Sequence, residues 1–521
     1  MGIRRKVSPD DAEEMMTDGG EAEGSFVEFG IEDKPPLASS IVLGFQHYLT
    51  MIGATVAIPL ALIFFINANA ATTMPPEEQA ILIGTFFVVS GIATLLQTTI
   101  GNRYPLVQGG TFSMLAPAIA IIFVLGAEGV GWEVMLLELQ GAIIVAALIQ
   151  VVIGYAGLFG WLKQYLSPVV IAPVIALIGL ALFDVPQLTD PNNDWILIGL
   201  TVLLIVICSQ YLDKHHRIFR LYPVLIGILA AWALAAVLTV TGVYSETAQG
   251  FIDFDAVTNA DAIQVITPLQ WGTPQFTTAF IIGIFAGALA SMVESYGDYF
   301  AVARLAGASA PSGKRINHGI GMEGFGNLFA GIMGTGNGST SYSENIGAIG
   351  ITGVASRYVI QIGAVVMLIV GFVGYFGQLV ATIPDPIVGG LFIAMFGQIA
   401  AVGLANLKYV DLDSSRNVFI IGIALFAGLA VPAYLGEVGD PGTFRTGMEG
   451  IAYVGPILGE RVISDVVFVI GSTGMAVGGI VAFVMDITVD GTTEERGLDA
   501  WERLSEEDEE FDSVVDRMRG V

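Results

Sequence analysis

Of 521 residues, 54% are hydrophobic and only 13% charged, with a mean hydropathy of +0.73. That excludes an ordinary soluble domain, in which about a quarter of residues carry charge. The formal net charge of −27 comes largely from the tails and one loop, so no nucleic-acid partner is expected. Cys208 is the single cysteine, which excludes a disulfide framework or a cysteine-built metal site within one chain.

Residues 1–36 open on Arg4, Arg5 and Lys6, run through acids from Asp10 to Glu23, and lack the apolar core of a signal peptide. They are expected to form an acidic cytoplasmic tail. Apolar stretches of about 20 residues, enough to cross a hydrocarbon core, then recur from Ile41 through Met485. Fourteen spans are expected, starting near residues 38, 79, 104, 135, 167, 194, 219, 275, 316, 335, 356, 385, 416 and 464. Seven occupy 37–245, an acidic extracellular loop fills 246–274, seven more occupy 275–487, and 488–521 is a second acidic cytoplasmic tail holding the run Glu506 to Glu510.

With the amino terminus inside, this count places every Lys and Arg but Arg445 and Arg461 on the cytoplasmic side, nineteen of 21. Pro168–Gly179 laid on Pro386–Gly397 gives five identities in twelve positions at an offset of 218. Seven is odd, so the second copy must enter the membrane from the opposite side. The expected fold class is therefore an all-α polytopic membrane protein, built from two inverted seven-span repeats and working by alternating access.

Two segments are too polar and glycine-rich to face lipid. They are Leu106-Val-Gln-Gly-Gly-Thr-Phe-Ser-Met114 in span 3 and Gly334 to Gly347 in span 10. Extended backbone at membrane depth is tolerated only where protein or a cavity surrounds it, so both spans are expected to be discontinuous and to border a transport site. Four carboxylates also fall inside spans, where a charge is costly and usually functional. Glu294 and Asp298 are four apart and share a face of span 8. Glu323 lies in span 9, and Glu344 follows the polar run of span 10, where a half-helix start favours an anion. His47 lies on the apolar span 1, while His215, His216 and His318 fall at loop positions, and no metal site or cofactor is expected.

The stretch Glu344-Asn-Ile-Gly-Ala-Ile-Gly-Ile-Thr-Gly353 resembles the signature of the nucleobase-ascorbate transporter family, [Gln/Glu/Pro]-Asn-x-Gly-x-x-x-x-Thr-[Arg/Lys/Gly]. Glu294-Ser-Tyr-Gly-Asp-Tyr-Phe-Ala-Val-Ala-Arg304 is similar to the family's span 8, Gly44-Phe-Gln-His-Tyr-Leu49 to its Gln-His motif, and Leu106 to Met114 to its span 3 loop. The resemblance implies a core of spans 1 to 4 and 8 to 11 and a gate of spans 5 to 7 and 12 to 14, with the site between them. It implies that Glu294 and Glu344 grip a small-molecule nucleobase, that Phe112, Ser343 and Asn345 complete the contacts, and that His47, Asp298 and Glu323 support the site or ion coupling. It further implies a homodimer in the plasma membrane, both termini cytoplasmic, driven by a proton or sodium gradient. Asp298 stands where bacterial uracil members carry His, as in purine-type members. Glu344 stands where vertebrate ascorbate members carry Pro, which favours xanthine, uracil or a related base over ascorbate.

Two other classes compete. A sulfate-like anion transporter of the same fold would want basic or neutral groups where spans 8 to 10 carry acids. An intramembrane enzyme would need a nucleophile and base or a metal cluster, and no such spacing occurs.

Overall fold

The computed structural model describes residues 27–159, 165–183, 185–498, 511–513 and 516–517. Arg4 to Lys6, Asp10 to Glu23, Lys163, Arg503, Glu506 to Glu510 and Arg519 lie outside the described residues.

In the first half the main helices are α1 (Leu37–Asn69), α2 (Pro76–Thr99), α3 (Phe112–Ala127), α4 (Trp132–Tyr155), α5 (Pro168–Leu180), α6 (Trp195–Val206, continued by a π turn) and α7 (Pro223–Val240). The second half holds α8 (Thr278–Leu305), α9 (Gly313–Met333), α10 (Ser343–Thr352), α11 (Arg357–Gly371), α12 (Asp385–Ala405), α13 (Ser415–Val438), α14 (Arg461–Gly471) and α15 (Gly474–Thr488). Strands β1 (Gln108–Gly110) and β2 (Ser339–Ser341) precede α3 and α10. Apolar sequence folds this way because in lipid the backbone must satisfy its own polar groups. Prolines sit in the first turns of α2, α5 and α7, where no amide is lost. Gly334 (φ 76°) and Gly353 (φ 71°) close α9 and α10 in the left-handed region.

Among the described residues, α1, α2, α4, α7, α8, α12 and α13 are long and apolar enough to cross a bilayer, and the pair α14 and α15, bent by 94°, adds an eighth span if counted as one. The apolar α3, α5, α6 and α11 are shorter. Spans 3 and 10 of the sequence analysis each prove to be a short strand followed by a helix, because Gly109, Gly110 and the Ser/Thr run pair as a ladder instead of extending the helix.

The helices pack as two groups. In one, α4 lies on α9, α2 on α11, α1 on α11, and α8 on α3 and α4. In the other, α5 lies on α12, α6 on α7 and α12, and α13 on α5 and α15. Contact between the groups runs mainly through α8 and α14. Where α1 crosses α11 the backbones touch: a Cβ on Gly44 would stand 2.8 Å from Gly363 N and from Val359 O, so only glycine permits the crossing. The 246–274 loop packs on the end of the first group, with Gln264 Nε2 donating to Gly371 O (2.7 Å) and Trp271 Nε1 to Gly334 O (2.7 Å). At the amino end Glu32 binds Arg103 (2.7 Å) and Arg357 (2.8 Å). Burial opposes the ionisation of Glu32, but Arg357 and Arg103 together hold its carboxyl below the usual range.

In the second group a buried ion cluster closes the chain. The Asp486 carboxylate, fully enclosed, accepts from Arg416 (3.0 Å), Arg496 (2.8 Å) and Ser167 (2.8 Å), fastening the segment after α15 to α5 and α13. Removing one partner of such a cluster strands charges in a dry site. Asp486→Ala is therefore expected to destabilise the fold by about 3–5 kcal/mol, read as a lower thermal-unfolding midpoint in detergent; an unchanged midpoint would show that water already screens the cluster.

Candidate functional site

The site is built where the two halves meet in one small ladder. β1 and β2 pair antiparallel in the register Gln108↔Ser341, Gly109↔Thr340 and Gly110↔Ser339, and every residue of both strands is buried. Tyr342 N donates to Val107 O (3.0 Å) and prolongs the ladder. At the other end Asn337 replaces a rung with its amide, accepting from Thr111 N (2.8 Å) and donating to Thr111 O (3.1 Å). A side chain on Gly109 would strike the Tyr342 ring at 2.6 Å, which explains a glycine there. Strand ends become helix starts, so the first-turn amides of α3 and α10 and their positive dipole ends come to a common place.

That place is the wall of a cavity of about 580 Å³, within the range of small-molecule sites. Phe112, Glu294, Asp298, Ser343 and Glu344 line it, facing Met395, Gln398 and Ile399 of α12. Arg220, Arg304 and Lys408 also line it and are exposed. Gly297 and Gly347 present open space, with nothing within 4 Å of where a Cβ would stand.

The two carboxylates that share a face of α8 differ in their surroundings. Asp298 accepts from Ser341 Oγ (2.6 Å) and Ser343 Oγ (2.7 Å), so its oxygens are engaged by the β2–α10 junction. Glu294 is half-buried on the cavity wall, as is Glu344 one residue into α10, and among the described residues no side-chain donor reaches either. The site thus offers two acceptor groups, the Phe112 ring and the positive ends of two half-helices to whatever enters.

Three of the other predicted residues stand behind the wall. Glu323 is buried, accepting from Gln150 Nε2 (3.0 Å), Ser291 Oγ (3.0 Å) and Ser295 Oγ. Ser295 also meets Ser341 Oγ (2.9 Å), so two hydroxyls connect Glu323 to Asp298. His47 is buried against Asn345, Nδ1 to Oδ1 at 3.2 Å, while Asn345 Nδ2 donates to Pro105 O (2.6 Å). With that amide so engaged, His47 must donate from Nδ1. Asn345 is fully buried and its side chain is used within the protein; it does not line the cavity, unlike Phe112 and Ser343.

Ser291, Ser295, Gln150 and Asn327, which donates to Gln150 Oε1 (2.7 Å), are polar partners the sequence analysis did not single out. The signal existed in α8: Ser291, Glu294, Ser295 and Asp298 follow i, i+3, i+4, i+7, a polar stripe on one helix face. Glu138, held by Thr277 Oγ1 (3.0 Å), and Asp486 are further buried acids beyond the four expected. Among the described residues no group of three His, Cys, Asp or Glu stands ready for a metal ion.

The family profile described as "Permease family", for xanthine and uracil permeases, matches residues 38–436. Solute carrier family 23 member 1 of Rattus norvegicus is 40% identical, covering 91% of this chain and 82% of that protein. Nucleobase-ascorbate transporter 12 of Arabidopsis thaliana is 33% identical over 94% of this chain and 73% of that protein. These relatives are named as carriers and transporters, not as enzymes. Among solved structures, the transmembrane domain of the cyanobacterial bicarbonate transporter BicA is similar in fold, with a TM-score of 0.53 at 17% identity, covering 78% of this chain and 98% of that one.

Proposed function

This chain belongs to the nucleobase-ascorbate transporter family, a family of membrane transporters, and on that premise we propose that it imports a nucleobase, xanthine, uracil or a relative, by alternating access. The observation that carries the proposal is the pair Glu294 and Glu344, drawn from separate helices and facing one cavity, with no side-chain donor among the described residues reaching either. A neutral base turns N–H groups outward along its edge, and buried carboxylates accept such bonds more strongly than neutral acceptors do. Phe112 and the backbone amides near Ser343 complete the grip, whereas Asn345 and His47 hold the wall in shape from behind.

Import is coupled to protons or sodium through Glu323 and Asp298, the acids joined by Ser295 and Ser341. The moving parts are the two helix groups: α1–α4 with α8–α11 as the core, and α5–α7 with α12–α15 as the gate. Packing supports an inverted repeat, since exchanging the halves turns the α4–α9 contact into α11–α2, and α8–α4 into α1–α11. The antiparallel pairing of β1 with β2 suits the same exchange. On this reading the chain crosses the plasma membrane fourteen times, assembles as a homodimer, and opens its cavity to the cytoplasm beside Arg220, Arg304 and Lys408.

Uptake of labelled xanthine, uracil, urate, ascorbate and sulfate into proteoliposomes, under an imposed proton or sodium gradient, tests the proposal directly. Accumulation of a base supports it; accumulation of ascorbate alone, or of sulfate, moves the protein to the alternative substrate class. Topology is tested separately. Once Cys208, buried in the π turn of α6, is replaced, a membrane-impermeant thiol reagent is expected to label Asp255→Cys in intact cells and Ser312→Cys only after permeabilisation. Labelling of position 312 in intact cells would make the span count before it wrong by one.

A further inference from the structure

Gln398 is the one polar side chain of α12 beyond its first turn. An amide in an apolar membrane helix is retained where it meets a partner or a cavity. Gln398 faces the cavity, is exposed to it, and among the described residues has no hydrogen-bond partner. Its height is set by Phe396, whose ring meets Phe112 edge-on at 5.8 Å while stacking on Phe392 at 4.9 Å. Phe112 is the first residue of α3, so Gln398 stands only about 3 Å further along the axis than the level of the half-helix start. Across the cavity lie Glu294 and Gly297 of α8 and Glu344 and Gly347 of α10. Leu180 occupies the equivalent place in the first repeat at the offset of 218, so the amide is particular to one side of the cavity.

The two carboxylates can only accept hydrogen bonds, yet every oxo-substituted base also presents carbonyl oxygens, which need donors. Resting on the nucleobase reading above, we infer that Gln398 is a specificity-determining residue of the transport site, its amide meeting a ring carbonyl on the substrate edge turned toward α12.

The test compares dissociation constants of wild type, Gln398→Ala and Gln398→Asn for xanthine, hypoxanthine and 2-oxopurine, the last two each lacking one carbonyl of xanthine. Gln398→Ala is expected to reduce the preference for xanthine over one of these analogues by about 3- to 10-fold and to leave the other ratio unchanged, with Gln398→Asn intermediate. Thermal midpoints equal to wild type establish that the variants fold. Unchanged ratios, or equal weakening toward all three bases, overturn the role of Gln398 alone. A wild type that binds none of the three is measured with uracil, where an unchanged affinity in Gln398→Ala overturns the inference; a wild type that binds uracil no better overturns the nucleobase reading first and this inference with it.

Discussion

Glu294→Gln and Glu344→Gln are each expected to weaken nucleobase binding about 10- to 150-fold, the worth of a charged hydrogen bond of roughly 1.5–3 kcal/mol. Both residues line the cavity and neither is met by a side-chain donor of the protein. The exchange is nearly isosteric: it removes the charge and turns one acceptor into a donor that faces the donor edge of the base. Calorimetry or a filter-binding assay on purified protein reads the loss, with a size-exclusion profile matching wild type as the check on folding. Asp298→Asn makes the informative contrast. Its oxygens already accept from Ser341 and Ser343, so that variant should act through the β2–α10 junction and lower the thermal midpoint as well as the affinity. Wild-type affinity in both glutamate variants would remove them from the site.

The sequence singles out these acids as a group but does not sort its members. Glu294 and Asp298, four apart, are neighbours on one face in any helix. That Asp298 is engaged and Glu294 open depends on Ser341 and Ser343, brought alongside only by the β1–β2 ladder. The polar run after Gly334 was legible as something lipid excludes, because a Ser/Thr/Gly segment offers no apolar surface. Its partner strand was legible for the same reason, whereas the register linking them is a tertiary fact. Asn345 illustrates the limit. A signature residue beside Glu344 invites a substrate contact, yet one residue along a helix is a turn of about 100°, and its amide points away to His47 and Pro105. Asp486 went unread because its partners, Arg416 and Arg496, look like ordinary loop cations until the chain folds back over α13. Gln398 stands out as the lone amide of an apolar stretch, but whether such an amide meets another helix or a cavity is a tertiary fact.

Glu323→Gln is expected to bind nucleobase with near-wild-type affinity, to exchange it across the membrane, and yet to accumulate none above passive equilibration. Glu323 does not line the cavity, so its loss removes no contact to the base. It is instead the end of a chain of polar groups: Gln150, Ser291 and Ser295 all point donors at its carboxylate, and Ser295 and Ser341 carry the connection on to Asp298. A group in that position can hold the driving cation, or a proton, and make the β2–α10 junction depend on whether it is loaded. The glutamine keeps the shape but cannot carry a negative charge, so loading no longer changes anything that Asp298 and the half-helix experience, and the gradient loses its hold on translocation. Counterflow and net uptake measured on the same proteoliposomes separate the two outcomes. Concentrative uptake at the wild-type rate would place coupling elsewhere. Loss of binding together with uptake would instead mean that Glu323 supports the wall on which Glu294 and Glu344 depend.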